Sequence, residues 1–89
     1  MSYEVSFTDI ALKNLKQYPK KDQSMILKKI GELAEDPFNK TNVKRLSNFD
    51  VVYRLRVGNY RVLFDQEDVL RIIDVINILH RKTAYRGRS

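Results

Sequence analysis

The sequence contains no cysteine and a single histidine, His80. Without cysteine, the chain can form neither a disulfide framework nor a thiolate metal site. One histidine also leaves an all-protein zinc site without the ligands that such sites usually have. We therefore expect a fold held together by its apolar core and a function that uses no metal and no other cofactor.

The chain also lacks long apolar runs. Its first residues, MSYEVSFTDI, contain no basic stretch followed by an apolar one, so the sequence predicts no signal peptide. No apolar run approaches ~20 residues, the length that crosses a bilayer, so we expect no membrane partner and a cytoplasmic location. The 89 residues are enough for one domain, and we predict that residues 1–89 form it.

The sequence has fewer acidic than basic residues. The 17 basic residues exceed the 11 acidic ones, and the net charge of +6 favours an anionic partner such as nucleic acid, an acidic protein or a membrane surface. Eight of the nine lysines precede residue 50, whereas seven of the eight arginines follow it. Because arginine presents a planar fork of donors that matches phosphate, we expect the C-terminal half to bind a polyanion, with RNA the favoured candidate.

The N-terminal half predicts one strand and two helices. Apolar and polar side chains alternate over residues 3–7, which is the period of a half-buried strand. Apolar residues then recur at helical spacing on both sides of Pro19, which predicts two helices that this proline separates. The second helix is predicted to end at Asp36-Pro37. Residues 38–50 are polar, and we interpret them as a loop.

The C-terminal half predicts three strands, at Val51–Val57, Tyr60–Asp65 and Val69–Leu79. Gly58-Asn59, between the first two, is typical of a two-residue hairpin turn. The third strand is apolar on both faces, as a central strand usually is. The predicted order is therefore β-α-α-β-β-β, an α+β fold with two N-terminal helices packed on one face of a small, mainly antiparallel sheet.

The hairpin turn determines which side chains face each other. A two-residue loop puts Arg56 directly opposite Arg61, and Arg54 shares their face because strand side chains alternate with period 2. Exposed arginines on a strand are common, but like charges directly opposite each other destabilise a sheet. We therefore interpret these three arginines as the walls of an anion site. The other face is the predicted core face, with Tyr53, Leu55, Val57, Tyr60, Val62 and Phe64.

The tail beyond the third strand adds titratable and cationic side chains, which we expect to approach the three arginines. Phosphodiester cleavage needs charge stabilisation on the phosphoryl oxygens together with a base and an acid. Arginines can supply the first, and Tyr85 or His80 can supply the other two. Lys82 and Arg86 are further candidates for RNA binding.

Two strings resemble a known family. Residues 53–62, YRLRVGNYRV, and residues 80–86, HRKTAYR, are similar to the RelE/ParE toxin superfamily. The segment from Phe7 to Leu15 and the chain length fit as well, so the resemblance covers nearly the whole chain. It implies the RelE-like β-α-α-β-β-β fold, in agreement with the elements predicted above.

The resemblance also implies an activity and a set of partners. It indicates a RelE-type toxin of a type II toxin–antitoxin system, a ribosome-dependent endoribonuclease that cuts mRNA in the decoding site. Cleavage in this family proceeds by attack of the 2′-hydroxyl on the adjacent phosphate, leaves a cyclic phosphate and uses no metal. The implied partners are the cognate antitoxin, mRNA on the ribosome with contacts to 16S rRNA, and operator DNA only through the antitoxin complex.

The resemblance assigns roles to five residues. Arg54 and Arg56 match positions that are often lysine in the family, where they contact RNA and stabilise developing charge. Arg61 matches a phosphate-binding arginine, and Arg81 matches an arginine assigned to stabilising or protonating the leaving group. Tyr85 matches a tyrosine that stacks on the base or assists proton transfer.

The arginines at positions 54 and 56 depart from the family pattern. Arginine stays protonated, so neither Arg54 nor Arg56 can act as a general base where the family has a lysine. We therefore hypothesise that Tyr85 or His80 is the base, since an imidazole exchanges protons readily near neutral pH.

Two other functions fit the same sequence. The first is a ParE-type toxin that inhibits DNA gyrase without cutting RNA, and the second is a nucleic-acid-binding protein that acts with its antitoxin on promoter DNA. A shared fold cannot separate them from a nuclease. The full set of arginines together with Tyr85 favours the nuclease, because a gyrase inhibitor has no need of a phosphate-centred site.

Overall fold

A computed structural model of the protein describes residues 2–39, 42–46 and 52–82. The elements follow in the order β1 (Glu4–Phe7), α1 (Asp9–Gln17), α2 (Lys20–Glu35), β2 (Val43–Leu46), β3 (Val52–Val57), β4 (Tyr60–Glu67) and β5 (Ile72–His80). The predicted α+β class is confirmed, with two helices packed on a sheet. Within the described part of the chain, no helix has the length and apolar character needed to cross a membrane.

The five strands form one sheet in the order β1-β5-β4-β3-β2. Neighbouring strands are antiparallel except for β1 and β5, which pair in parallel with Val5 beside Ile73. The sheet is therefore mainly antiparallel, as predicted. The parallel pair brings the first strand of the chain next to the last one, and the two helices carry the chain from β1 at one edge of the sheet to β2 at the other.

The prediction of a loop over residues 38–50 was wrong at β2. Val43–Leu46 pairs antiparallel with β3, so that Val43 lies opposite Leu55 and Lys44 opposite Arg54. This strand has only four residues and forms an edge of the sheet, where charged side chains commonly protect the free edge. Lys44 and Arg45 follow that rule, and their polarity gave the segment the appearance of a loop.

The boundaries of the last two strands also differ from the prediction. β4 continues to Glu67, whereas β5 begins at Ile72 instead of Val69. Val69 and Leu70 lie in the connecting turn, and their side chains are 87% and 68% exposed. The turn is closed by Arg71 in the left-handed region, with φ 57, so the chain cannot enter the strand earlier. The predicted strand began too early because it was extended to Val69 and Leu70 on their apolar character alone.

The helix ends follow from local chemistry. The Thr8 hydroxyl accepts from the N–H of Ala11 at 3.2 Å and caps α1, while Asp9 lies in the first turn where the helix dipole favours a negative charge. Pro19 separates the two helices as predicted, since it precedes α2 without needing an N–H there. Asp36 ends α2 by donating its N–H to the carbonyl oxygens of Glu32 and Leu33, each at 3.2 Å.

The core lies between the helices and one face of the sheet. The predicted core face is confirmed: five of its six residues are buried, and Tyr53 is half-buried with its ring stacked on Phe64 at 5.4 Å. Burying a large apolar side chain contributes roughly 1.5–3 kcal/mol, so this face accounts for much of the stability of so small a domain. The fully or nearly fully buried residues are Ala11, Leu15, Ile26, Ile30, Leu33, Ala34, Leu55, Val57, Tyr60, Val62, Phe64, Ile73, Val75 and Ile78.

Candidate functional site

The β3–β4 hairpin organises the cationic side chains. Val57 pairs with Tyr60 and Arg56 with Arg61, which is the predicted register. Gly58 has φ 56 at the first central position of the turn, a conformation that glycine adopts without a steric penalty. Because Val57 is 2% exposed on the core side, its neighbour Arg56 must point to the opposite side.

The outer face of the sheet, which turns away from the helices, therefore carries Arg54, Arg56 and Arg61, and we call it the arginine face. Within residues 2–39, 42–46 and 52–82, no carboxylate forms a salt bridge with any of these three guanidinium groups. The Nη1 atom of Arg61 donates to the carbonyl oxygens of Tyr60 at 3.0 Å and Gly58 at 3.3 Å. This guanidinium is thus held close to the hairpin turn by neutral backbone acceptors.

Arg56 and Arg61 face each other as a non-hydrogen-bonded pair, the kind of antiparallel pair in which the two residues lie closer together. The N–H of Arg56 donates to the carbonyl oxygen of Asn42 at 2.9 Å, so it points toward the β2 side and away from β4. In such a non-hydrogen-bonded pair the two Cα atoms are only about 4.5 Å apart, and the side chains leave the sheet close together. Two positive charges therefore lie side by side, and no carboxylate of the described residues forms a salt bridge with either of them.

The structure adds a cation that the sequence analysis missed. Lys44 on β2 lies directly opposite Arg54, so it belongs to the arginine face, and its side chain is exposed. A prediction of β2 as a strand would have been needed to find it, since only the register relates Lys44 to Arg54. The arginine face thus extends across three strands.

The carboxylates of the same face lie at its other end. Asp65 is four residues along β4 from Arg61, about 13 Å at the rise of a strand, and it lies opposite Asp74 on β5. The Ser6 hydroxyl donates to Asp74 at 3.0 Å. The outer surface of the sheet is therefore positive near the hairpin turn and negative at the far end. Asp65 is a diagonal cross-strand neighbour of Arg54 but lies far from Arg61, which is beside the turn.

His80 does not share the arginine face. It pairs with Tyr60, whose side chain is 4% exposed on the core side, and the two rings meet edge to face with centroids 5.1 Å apart. The expectation that the imidazole approaches the arginines is therefore not met by the structure, because His80 and Arg61 lie on opposite faces of the sheet. The half-buried His80 instead belongs to an aromatic cluster under the hairpin.

Tyr60 is the centre of that aromatic cluster. Its hydroxyl donates to Oδ2 of Asp22 at 2.6 Å, and its ring lies 4.7 Å from the ring of Tyr18. Burial, followed by the hydrogen bond and the negative charge of Asp22, raises the pKa of Tyr60 to about 12. Tyr18 in turn donates its hydroxyl to the carbonyl oxygen of Ile78 at 2.8 Å, and burial raises its pKa as well.

The tail begins beside the hairpin turn. Arg81 donates its N–H to the carbonyl oxygen of Asn59 at 2.6 Å, and the N–H of Lys82 donates to Nδ1 of His80 at 3.2 Å. Arg81 and Lys82 have helical conformation and are exposed. The backbone of Arg81 is thereby attached to the turn that precedes Arg61. Tyr85 and Arg86, the other predicted tail residues, lie outside the described residues.

Comparison with known sequences identifies relatives of the whole chain. The family model of the ParE toxin of type II toxin–antitoxin system, parDE, matches residues 5–85. The chain is 36% identical over 93 residues to the RelE1 toxin homologue of Methanocaldococcus jannaschii, and the match covers 98% of this chain and 99% of the relative.

Solved structures share the fold. A chain of the RelBE2 toxin–antitoxin complex from Mycobacterium tuberculosis matches with a TM-score of 0.80 and 24% identity, covering 91% of this chain and 100% of that one. A chain of the archaeal RelE–RelB complex from Pyrococcus horikoshii matches with a TM-score of 0.77 and 27% identity, covering 91% and 97%. These similarities confirm the predicted RelE-like fold.

Proposed function

The chain belongs to the RelE/ParE superfamily of toxins from type II toxin–antitoxin systems, and from this premise we propose that it is an endoribonuclease that cuts mRNA on the ribosome. The observation that carries the proposal is the arginine face, where Arg54, Arg56 and Arg61 converge without a carboxylate partner among the described residues. A backbone phosphate of RNA is the ligand that such a cluster of guanidinium groups suits best.

The proposed reaction is an intramolecular transesterification. The 2′-hydroxyl of one nucleotide loses its proton to a base and attacks the adjacent phosphorus, the bond from phosphorus to the 5′-oxygen of the next nucleotide breaks, and that oxygen receives a proton. The products are a 2′,3′-cyclic phosphate and a free 5′-hydroxyl. Negative charge builds up on the phosphoryl oxygens during attack, and positioned cations lower the barrier by stabilising it.

The arginine face divides these roles in our proposal. Arg54, Arg56 and the newly found Lys44 bind the RNA backbone, with Lys82 and Arg86 in support from the tail, and Arg61 binds the reacting phosphate. Arg81 stabilises the leaving oxygen, for which its attachment to the hairpin turn is suitable. No metal takes part.

Proton transfer requires a group other than these arginines, because a guanidinium stays protonated. Tyr85 and His80 are the two candidates that the sequence offers. The pairing of His80 with Tyr60 on the core side of the sheet favours Tyr85, since a base must come within hydrogen-bond distance of the 2′-hydroxyl that it deprotonates.

We also propose a cognate antitoxin as partner, because RelE relatives of this fold occur in complexes with RelB. An acidic or amphipathic segment of the antitoxin would cover the arginine face or displace the tail. Binding to operator DNA would occur through that complex, and contacts to 16S rRNA would position the toxin in the decoding site. Since mRNA on the ribosome and operator DNA are in the cytoplasm, we propose that the protein acts there.

Induction of the gene followed by mapping of mRNA ends tests the proposal. We expect cuts in phase with codons, and the same cuts on programmed ribosomes from purified protein. Arg61→Ala and Arg81→Ala should each reduce cleavage about 10²-fold, the usual effect of removing one group that stabilises the transition state. Lys28→Ala, which removes one exposed positive charge from α2 on the helix side, is the matched control.

Growth arrest without mRNA cuts, together with DNA damage signalling, would contradict the nuclease and support a ParE-type inhibitor of gyrase. Binding to promoter DNA with neither effect would support the nucleic-acid-binding function instead. Both outcomes would leave the fold and the family unchanged.

A further inference from the structure

We infer that His80 is a positioning residue that caps the start of the C-terminal tail and thereby holds Arg81 at the hairpin turn, instead of exchanging protons with RNA. The inference rests on the proposed nuclease function for its effect on activity, but its structural part stands on contacts within the chain. Those contacts are the hydrogen bond from the Lys82 N–H to Nδ1 of His80 and the packing of the imidazole on Tyr60.

The hydrogen bond defines which imidazole nitrogen carries the proton. A backbone N–H can only donate, so Nδ1 of His80 must accept with its lone pair when the N–H of Lys82 lies 3.2 Å away. The neutral ring then carries its proton on Nε2. Nδ1 is therefore engaged inside the chain and is not free to take a proton from a substrate hydroxyl.

The position of His80 is that of an N-cap. It is the last residue of β5, and the next two residues, Arg81 and Lys82, are helical. A side-chain acceptor at this position commonly receives the N–H of the second or third helical residue, which would otherwise lack a partner. The tail thus leaves the sheet in a direction that the imidazole helps to determine.

The ring itself is held from the helix side of the sheet. Tyr60 contacts it edge to face, and the Tyr60 hydroxyl is fixed by the Asp22 carboxylate at 2.6 Å. A continuous path of contacts therefore runs from α2 through Tyr60 and His80 to the N–H of Lys82. Since Tyr60 is 4% exposed, its ring offers the imidazole a surface that cannot easily move.

The cap at His80 affects the arginine face through Arg81, which lies between His80 and Lys82 in the sequence. The N–H of Arg81 donates to the carbonyl oxygen of Asn59 at 2.6 Å, so the cap at His80 and the bond at Asn59 hold the same tail segment from both sides. Loss of the cap would let this segment sample other directions, and Arg81 would spend less time beside the hairpin turn. The imidazole thus acts on the site through Arg81.

Two substitutions separate a cap from a base. His80→Asn keeps a side-chain acceptor that suits an N-cap but has no group able to act as a base, whereas His80→Phe keeps a ring against Tyr60 and has no acceptor. For a cap we expect cleavage by His80→Asn to stay within about threefold of the unsubstituted protein and cleavage by His80→Phe to fall about fivefold, the factor of a typical side-chain cap. If both variants instead lost 10²-fold or more in kcat, the imidazole would be transferring a proton and the inference would be overturned.

Hydrogen exchange at the Lys82 amide measures the hydrogen bond to His80 directly and needs no RNA. It should be protected in the unsubstituted protein and in His80→Asn, and it should exchange at least about fivefold faster in His80→Phe. Equal exchange in all three proteins would overturn the inference even if the chain cuts mRNA. If the protein shows the expected exchange pattern but does not cleave mRNA, the proposed function is wrong and the inference about His80 stands. His80→Ala replaces His80→Phe in the comparison if thermal unfolding shows that the phenylalanine variant is not folded.

Discussion

Arg56 and Arg61 lie directly opposite each other on the outer face of the β3–β4 hairpin, as a non-hydrogen-bonded pair without a carboxylate partner among the described residues. Like charges in this position destabilise a sheet. The free protein therefore carries a local cost that a bound phosphate would remove. This relationship predicts that stability and activity respond in opposite directions when one of the two charges is removed.

Arg56→Gln should make the free protein more stable while it weakens cleavage. Removing one charge relieves a repulsion of about 0.2–1 kcal/mol, the range for cross-strand pairs, and keeps a polar side chain on the strand. The same change should lower kcat/KM for cleavage about tenfold or more, because hydrogen bonds to charged groups contribute about 1.5–3 kcal/mol. Chemical denaturation and cleavage on programmed ribosomes measure the two effects. A loss of both stability and activity would show that Arg56 has a structural role.

RNA binding should depend steeply on salt, with Lys44 as one of the contributing charges. Each phosphate contact with single-stranded RNA releases counterions and adds about 0.7 to the slope of log affinity against log salt. Lys44→Ala should therefore lower that slope by about 0.7, because Lys44 lies opposite Arg54 on the arginine face. Lys28→Ala removes an equal charge from α2 and should leave the slope unchanged. Equal slopes for Lys44→Ala and the unsubstituted protein would exclude Lys44 from the interface.

The difference between Lys44 and the three arginines illustrates what the sequence could predict. The register of the hairpin follows from Gly58-Asn59, because a two-residue turn leaves no freedom in pairing, so the arginine face could be predicted from local sequence. Lys44 joins it only through the pairing of a four-residue polar edge strand, and nothing local distinguishes that segment from a loop. Long-range register, not composition, determines its place.

The placement of His80 was out of reach of the sequence for a related reason. Its face depends on the pairing of β4 with β5, which are joined by a turn with a left-handed Arg71 and whose register shifts between Leu63 and Phe64. A shift of one residue moves every following side chain to the other face of the sheet. The strand could therefore be predicted from its apolar residues, whereas the direction of its last side chain could not.

Tyr60 should make the stability of the protein sensitive to alkaline pH. Its pKa is raised to about 12 in the folded protein, above the ordinary value of 10.0, so the folded state holds the phenolic proton more tightly than the unfolded state. The resulting stabilisation is present below pH 10 and is lost as the pH rises from 10 to about 12. Two pKa units correspond to roughly 2–3 kcal/mol.

Tyr60→Phe isolates this contribution. The variant should be less stable at neutral pH by about 1–3 kcal/mol, because the Asp22 carboxylate loses the hydroxyl that donates to it. The difference in stability between the two proteins should then shrink as the pH rises toward 12. Chemical denaturation over this range measures the difference, and other tyrosines, including Tyr18, cancel because both proteins contain them. A difference that stays constant with pH would contradict the assignment to Tyr60.

Gly58 and Gly31 should respond with opposite signs to the same substitution. Gly58 has φ 56, and a Cβ there would lie 3.5 Å from Cε of Met25, an ordinary contact, so backbone strain alone opposes a side chain. Gly58→Ala should therefore destabilise the protein by about 1–2 kcal/mol, the cost of the left-handed region for a residue with a Cβ. Gly31 lies inside α2 with nothing within 4 Å of an added Cβ, and Gly31→Ala should stabilise by about 0.5–1 kcal/mol. Chemical denaturation of both variants measures the two changes in stability.

The same two variants should also differ in cleavage. Since Gly58 sets the register that brings Arg56 opposite Arg61, cleavage should fall with Gly58→Ala and remain unchanged with Gly31→Ala. Unchanged stability in Gly58→Ala would contradict the argument from φ, and destabilisation by Gly31→Ala would contradict the open space beside that residue.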